Sequence, residues 1–313
     1  MSRRNRFGRR LAFRAEMLAI HAVRLITSPV PTRVLIPFSG WLGARVIIWA
    51  PITRKRIENN LDLIHPDMPH AERRVLSRAV GDNFARVIAE YMRLPKLART
   101  PGLFDVEGGA HLTGAAAAGK GVVLVTAHYG NWEFVRLAAA GLGAPAAIIY
   151  RAFNNAGFDS IAQIYIAAAG KPVLHKGRKG ARALLHHVFG GGAAMILIDQ
   201  RQTGAPLIRF LGRDAETATA AAALALRTGA ALIPARATRL ADGRRFKVVF
   251  EAPIAHGDKV AMTRAVNDRI SAWVEEHPGQ WFWLHRRWML RDRGTSMRAA
   301  GERAKAATRE GDV

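Results

Sequence analysis

The sequence predicts an α/β fold, a layered sheet with flanking helices, preceded by an N-terminal helical, membrane-associating region. Three observations predict it. From residue 121 to 251, short apolar runs of strand length alternate with segments of helical length, the rhythm of a largely parallel sheet covered by helices. Three of those runs end in polar residues, at His128, at Arg151 and at Asp199-Gln200-Arg201, and in this class function gathers at the carboxyl ends of strands. The first fifty or so residues are basic and apolar at once. The chain divides accordingly into a basic, apolar N-terminal segment (1–52), a helical region packed on the core (53–102), the α/β core (103–291) and a charged C-terminal tail (292–313).

In chain order, Arg3, Arg4, Arg6, Arg9 and Arg10 precede an apolar stretch over residues 11–51 that Arg14, Glu16, His21, Arg24, Arg33 and Arg45 interrupt. A spanning helix needs about 20 mostly apolar residues, and Pro37, Gly40 and Gly43 weaken the most apolar part, 34–50, as one helix. An interfacial or shallowly inserted segment fits better, with arginines at anionic headgroups and Trp41 and Trp49 near the interface. An amphipathic helix packed on the core is the alternative. The charged stretch lacks a clean small-residue cleavage site, which argues against a cleaved signal peptide. Val75, Val80, Phe84, Val87, Ile88 and Tyr91 recur at helical spacing within 71–97, and Pro101-Gly102 punctuate the end.

The core then reads as strand 121–127, helix 132–140, strand 144–150, helices 159–169 and 178–189, strand 193–199, helix 217–228, strand 231–235 and a half-exposed strand 245–251. Beyond Arg293 the residues are small and charged, a mobile tail or marginal helix. With 313 residues and 50% hydrophobic content the chain can bury a substantial core. It has no cysteine, so disulfides and thiolate chemistry are excluded. Lys and Arg number 47 against 24 Asp and Glu, a net charge of +23 that calls for an acidic partner: nucleic acid, anionic lipid or an acidic protein. No helix-turn-helix, RNA-recognition or zinc-finger signature supports specific nucleic-acid readout.

His128-Tyr129-Gly130-Asn131-Trp132-Glu133 directly follows the first apolar run. Residues five apart sit about 140° apart around a helix and on opposite faces of a strand, so a shared site requires a turn between them. Gly130 and Asn131 are turn residues, and Asn131 can cap a helix carrying Glu133 in its first turn. The geometry expected is an imidazole at the strand end with a carboxylate folding back to fix its tautomer. A histidine satisfied in a loop beside a helix-capping acid is the other reading. Arg151 suits a phosphate or carboxylate, and Asp199 suits a hydroxyl or the orientation of Arg201; fold-stabilising ion pairs would account for them equally. The histidines show no ligand spacing that demands a metal.

These residues carry a resemblance. The block from Ala127 to Glu133 resembles the His-x-x-x-x-Asp/Glu motif of the lysophospholipid acyltransferase superfamily, in the form found in late acyltransferases of lipid A biosynthesis, the lauroyl and myristoyl type. Tyr150-Arg151 with Asn154-Asn155, Ile198-Asp199-Gln200, Phe210-Leu211-Gly212 with Thr217, and residues 278–288, with Trp283-Leu284-His285-Arg286-Arg287 at their heart, resemble that family's blocks in the same order. Asn59-Asn60-Leu61 resembles its upstream element, so the similarity spans nearly the whole chain. The chain departs from the pattern at Arg201, where many members carry a second acid, and at Trp288-Met289, where an aromatic-Lys pair is usual. It lacks the Pro-Glu-Gly-Thr block of glycerophosphate-backbone acyltransferases, which disfavours a simple lysophosphatidate substrate.

The resemblance implies a glycerolipid acyltransferase-like fold and an O-acyltransferase that moves a fatty acyl group from acyl carrier protein to a hydroxyl of a lipid A precursor, at the cytoplasmic face of the inner membrane. In such a reaction His128 is general base, Glu133 orients it, and Tyr129, Asn131, Arg151, Asp199, Gln200 and Arg201 bind substrate. Backbone amides near Gly130, or Arg151, would hold the oxyanion. No cofactor is implied beyond the acyl-acyl carrier protein donor. Phosphatidylinositol mannosides and lysophospholipids are alternative acceptors, and a non-catalytic basic protein is the reading from another class. The anionic membrane, a phosphorylated acceptor and an acidic carrier would all favour a basic surface, for which Arg286, Arg287, Arg291 and Arg293 are candidates, with Trp281, Phe282, Trp283 and Trp288 divided between core and interfacial belt.

Overall fold

A computed structural model describes residues 3–288. The tail at 292–313, with Arg291 and Arg293, lies outside the described residues, as do the side chains of the N-terminal arginines and of Trp49. The chain opens with helices α1 (Arg3–Thr27), α2 (Thr32–Trp49), α3 (Pro51–Ile64), α4 (His70–Tyr91) and the single turn α5 (Leu94–Leu97). Pro51 starts α3 at a position where a missing N–H costs nothing. Pro37 stays inside α2, and the glycines that weaken this helix in isolation let it lie tightly on α4: a Cβ at Gly43 would sit 2.4 Å from the Gly81 carbonyl oxygen. Large apolar side chains remain exposed on the outer faces of α1 (Leu18, Leu25, Ile26) and α2 (Phe38, Trp41, Val46). Among the described residues no single helix is long and apolar enough to cross a membrane; residues 32–46 and 51–64 meet that criterion only together, across an 81° bend.

The α/β part runs β1 (Phe104–Glu107), α6 (Gly109–Ala117), β2 (Val122–Thr126), α7 (Glu133–Gly141), β3 (Ala146–Tyr150), α8 (Ala156–Ala168), β4 (Val173–His175), α9 (Arg178–Phe189), β5 (Ala193–Leu197), β6 (Leu207–Phe210), β7 (Arg213–Glu216), α10 (Ala220–Thr228), β8 (Ala231–Arg239), β9 (Phe246–Phe250) and α11 (Lys259–Glu276). Seven strands form one sheet in the order β1-β9-β8-β2-β5-β3-β4. All neighbours are parallel except β8 and β9. The layered α/β architecture expected from the alternation is therefore present, with a largely parallel sheet flanked by helices. The expected half-exposed strand at 245–251 is β9, but only Lys247 within it faces solvent.

β2 lies at the centre, and all five of its residues are buried, which is why it reads as an unbroken apolar run rather than an alternation. Val123 and Val125 enter the core beneath α9, α10 and α11, whereas Val122 and Leu124 enter the opposite core with α6, α7 and α8. Two layers of helix thus clamp the strand whose carboxyl end carries His128. The separate hairpin β6–β7 turns through Leu211 (φ 47°) and Gly212 (φ 75°) and packs on α11, where Asn267 Nδ2 donates to the Arg209 carbonyl at 3.0 Å.

Candidate active site

The segment between β2 and α7 is the turn that the spacing requires. Gly130 takes φ 53°, and an added Cβ would fall 1.8 Å from the Ala237 carbonyl oxygen of β8, so both conformation and clearance demand glycine. Its N–H donates to the Gln280 carbonyl (2.9 Å) and that of Asn131 to Ala237 (3.3 Å). These two amides are committed within the fold. Asn131 Oδ1 accepts from the Glu133 N–H (3.1 Å) while Nδ2 donates to Glu90 (2.8 Å). Asn131 is fully buried, so it builds the turn, as a cap should, and does not face a substrate. Tyr129 is likewise buried and contributes its ring to the core, with its hydroxyl 3.4 Å from that of Thr238.

The carboxylate that reaches His128 is Asp199, not Glu133. β5 pairs directly with β2, so the residues just beyond the two strand ends meet: His128 Nδ1 lies 2.8 Å from Asp199 Oδ1, and the His128 backbone N–H donates to Oδ2 at 2.9 Å. The indole Nε1–H of Trp281 donates to the same Oδ2 at 2.9 Å. Asp199 is fully buried. Burial by itself would raise its pKa, but the charge and hydrogen bonds of His128, the charge of His285 and the His128 amide hold the carboxyl well below its usual range. An ionised Asp199 at Nδ1 fixes the tautomer with the proton there and leaves Nε2 of the partly exposed imidazole as a free acceptor.

Both oxygens of Glu133 are taken elsewhere. Oε1 accepts from the Tyr91 hydroxyl (2.7 Å) and Oε2 from Arg136 Nη1 (2.6 Å). Glu133 begins α7, so its side chain runs along that helix to a residue three further on instead of folding back over the turn. Arg136, also fully buried, donates to the carbonyls of Ala146, Ile166 and Gly170 and ties α7 to β3 and α8. Glu133 nevertheless supports the site at one remove. Burial and the neighbouring Glu133 push the Tyr91 phenol well above its ordinary pKa, so it stays a donor to the carboxylate; its oxygen accepts from Trp132 Nε1 at 2.9 Å, and the Trp132 ring meets the His128 ring edge-on at 4.8 Å.

Arg201 does not bind Asp199: its Nε donates to Glu216 at 2.6 Å, joining the segment after β5 to β7. Gln200 is exposed, and its carbonyl accepts from Arg287. Arg151 stands exposed at the end of β3, without an ion pair among the described residues.

The block at 278–288 comes from far along the sequence and is stitched over the turn between β2 and α7. The Phe282 N–H donates to the His128 carbonyl (3.0 Å); Asn83 Nδ2 spans the carbonyls of Gly130 and Gln280, and Asn60 Nδ2 those of Trp283 and His285. Trp281, Trp283 and Trp288 are all buried, which removes them from an interfacial belt. Arg287 is buried too and donates to the Glu216 carbonyl and Thr217 Oγ1; burial lowers its pKa to about 10. It is an internal tie between this block and β7, not a surface contact. Only Arg286 of the described candidates there is exposed.

The second imidazole of the site, His285, packs edge-on against His128 with ring centroids 4.8 Å apart, and its Nε2 is buried without a hydrogen-bond partner. Burial drives its pKa down to about 4, against the pull of Asp199 and with further lowering from His128 and Arg287. The unfolded chain protonates this residue near 6.5, so between those values the unfolded state holds the extra proton and stability falls as pH falls. His285→Phe is expected to lose part of that acid sensitivity in denaturant titrations at pH 7 and pH 5; an unchanged difference between the two pH values would remove His285 as its source. Sequence reasoning gave His285 no role and read Trp281 only as core or interfacial belt, although both lie in the block that carries the resemblance.

His128, Asp199 and His285 each offer a ligand atom within 4.8 Å of the others, a set that could hold a metal ion. Both oxygens of Asp199 already accept hydrogen bonds, from His128 and from Trp281. Beside the imidazole a shallow hollow is lined by Val80, Phe84, Val87, Trp132 and Phe282, with Asn83 and Gln280 also on its wall. A base with one free nitrogen, an ionised acid behind it and an apolar wall beside it can deprotonate a hydroxyl presented by an apolar molecule.

Comparison with known proteins places the chain in a family. Residues 9–289 match the family model described as bacterial lipid A biosynthesis acyltransferase. A phosphatidylinositol mannoside acyltransferase of Mycobacterium tuberculosis is 30% identical over 78% of this chain and 80% of its own length. One from Mycolicibacterium smegmatis is 26% identical over 68% and 72%. The lipid A biosynthesis lauroyltransferase of Escherichia coli is 25% identical over 86% and 90%. With the family model covering nearly all of the described residues, the chain belongs to the bacterial lipid A biosynthesis acyltransferase family.

Proposed function

We propose that this acyltransferase moves a fatty acyl group from an acyl carrier protein thioester to a hydroxyl of a lipid A precursor, probing that hydroxyl with His128 as general base and Asp199 as the acid that orients it. The observation that carries the reading is the buried Asp199 bonded to Nδ1 of His128 at the end of β2. Nε2 of His128 takes the proton of the acceptor hydroxyl as its oxygen attacks the thioester carbonyl. The C–O bond forms, the C–S bond breaks, and the departing thiolate recovers the proton from the imidazolium, so the enzyme returns to its starting state. Asp199 stabilises the transient positive charge, Trp132 and Phe282 exclude water from the ring, and Arg151 is the available cationic donor for the oxyanion or an acceptor phosphate. Glu133 contributes by holding Tyr91 and, through it, Trp132.

The exposed apolar residues of α1 and α2 support association with an anionic membrane at the cytoplasmic face of the inner membrane, where a lipid acceptor would be met. The reaction needs no cofactor, and a chelator is not expected to slow it. A second acceptor, a phosphatidylinositol mannoside, is favoured by the similarity to the mycobacterial enzymes. Incubating purified protein with carrier-protein thioesters of several chain lengths and each acceptor, then weighing the products, tests both. Product from one acceptor with wild type, and none with a folded His128→Ala variant, is the expected result. Product from neither, or turnover by His128→Ala, would end the proposal.

A further inference from the structure

We propose that the carboxyl edge of β3 and β4, with the start of α9, is the docking surface for the acidic protein that delivers the acyl thioester. The inference rests on the thioester-donor reading above and concerns where the donor is held. Sheet order sets out the carboxyl edge residue by residue: His128 follows β2, Asp199 lies beyond β5, Arg151 follows β3, and Lys176 follows β4. Arg151 and Lys176 are neighbours, because Tyr150 and His175 are in register and the Lys176 N–H donates to the Tyr150 carbonyl at 2.8 Å. Gly177 then leads into Arg178, Lys179 and Arg182. All five cations are exposed, neither residues 151–155 nor residues 176–189 include an acidic residue, and none of the five has a carboxylate partner among the described residues.

Fold stability does not account for them. Cations in the first turn of a helix oppose its dipole and cost stability, yet Arg178 and Lys179 occupy that turn of α9, which has no acidic residue there. Three strand spacings of about 4.8 Å put Lys176 roughly 14 Å from the β2 end along the sheet edge. An acyl carrier holds its thioester at the tip of a long phosphate-bearing arm, so a carrier body on this rim can present the carbonyl at His128. A carrier bound against the catalytic residues themselves would block the acceptor. The exposed apolar side chains of α1 and α2 are the membrane candidates, and α1 lies beside this rim, where Asn155 Nδ2 donates to the Phe13 carbonyl and to Glu16.

The test uses the full chain with Lys176→Glu, Arg178→Glu and Lys179→Glu combined, compared with Lys120→Glu, Lys171→Glu and Arg227→Glu, which make the same charge change with exposed residues near the amino ends of strands. Each is assayed with one acyl group presented in two ways, on carrier protein and on N-acetylcysteamine, a thioester with neither phosphate nor protein, using the acceptor identified by the product masses. The rim variant is expected to raise KM for the carrier donor by roughly tenfold at low salt and to flatten its salt dependence. Its turnover with the small thioester, and both activities of the control variant, should match wild type. An unchanged carrier KM, an equal loss with both donors, or a KM effect reproduced by the control would overturn the docking surface. So would weakened binding of the rim variant to anionic vesicles with an unaltered carrier KM, which would make this a membrane contact. No product from either donor with wild type would instead overturn the thioester reading on which it rests.

Discussion

Replacing Asp199 with Asn is expected to cut kcat by about 10²- to 10⁴-fold, the range that general-base assistance supplies, while the fold persists. Asn is nearly isosteric, and its amide oxygen at the Oδ2 position retains the acceptor shared by the Trp281 indole and the His128 amide. What it loses is the negative charge that fixes the proton on Nδ1 and offsets the imidazolium formed when Nε2 takes a proton. On the proposed mechanism His128 and Asp199 act as one unit, so adding His128→Ala to Asp199→Asn should cost little beyond His128→Ala alone. Steady-state kinetics of the two single variants and the double variant, with circular dichroism to confirm folding, make the check. Wild-type kcat in Asp199→Asn, or fully additive losses, would show that the acid behind His128 does not serve the chemistry.

Glu133→Ala should act first on stability, by about 3–5 kcal/mol, because removing one partner of a buried ion pair strands the other. Arg136 is fully buried beside Glu133 and would keep its charge with only carbonyl acceptors around it. Denaturant unfolding should show a lower midpoint with little change in slope. Glu133→Gln, which preserves an acceptor for Tyr91, should lose less. Turnover per folded molecule is expected to fall only as far as Trp132 shifts against His128. If Glu133→Ala kept its stability but lost turnover as completely as His128→Ala, the carboxylate would have to act on the imidazole directly.

The contrast between these two acids shows what the sequence could carry. The turn between His128 and Glu133, the cap at Asn131 and the strand ends bearing His128, Arg151 and Asp199 are local features, and local chemistry dictates them. Glycine and asparagine admit the turn, and unbroken apolar runs make buried strands. The partner of His128 is not local. It depends on which strand lies beside β2, and sheet order is a tertiary choice that spacing along the chain does not encode. Proximity in sequence favoured Glu133, five residues away, over Asp199, whose contact spans 71 residues. Arg287 went astray for a related reason: arginine composition predicts solvent, but the Gln200 and Glu216 carbonyls and the Thr217 hydroxyl that accept its hydrogen bonds arrive with the ends of β5 and β7. Gly40 and Gly43 read as weaknesses of α2 because the helix they accommodate, α4, lies elsewhere in the sequence. The hairpin β6–β7 turns on Leu211 in a left-handed conformation, which a residue-type argument would not assign to leucine.

The stitching of residues 278–288 over His128 also bears on when the protein becomes active during its synthesis. His128 and Asp199 are 71 residues apart and Asp199 and Trp281 another 82, so the site closes through contacts of long sequence separation, which form slowly. A nascent chain that has emerged only as far as β9 holds the base and its acid on adjacent strands but lacks the Trp281 indole on the carboxylate, the Phe282 amide on the His128 carbonyl, and the His285 ring. The proton-accepting imidazole is then open to water on the side this block covers. On the proposed mechanism, competence for acyl transfer therefore waits for residues 278–288 to leave the ribosome, and premature termination after β9 is expected to yield a chain that carries β2 and β5 but lacks these contacts at His128.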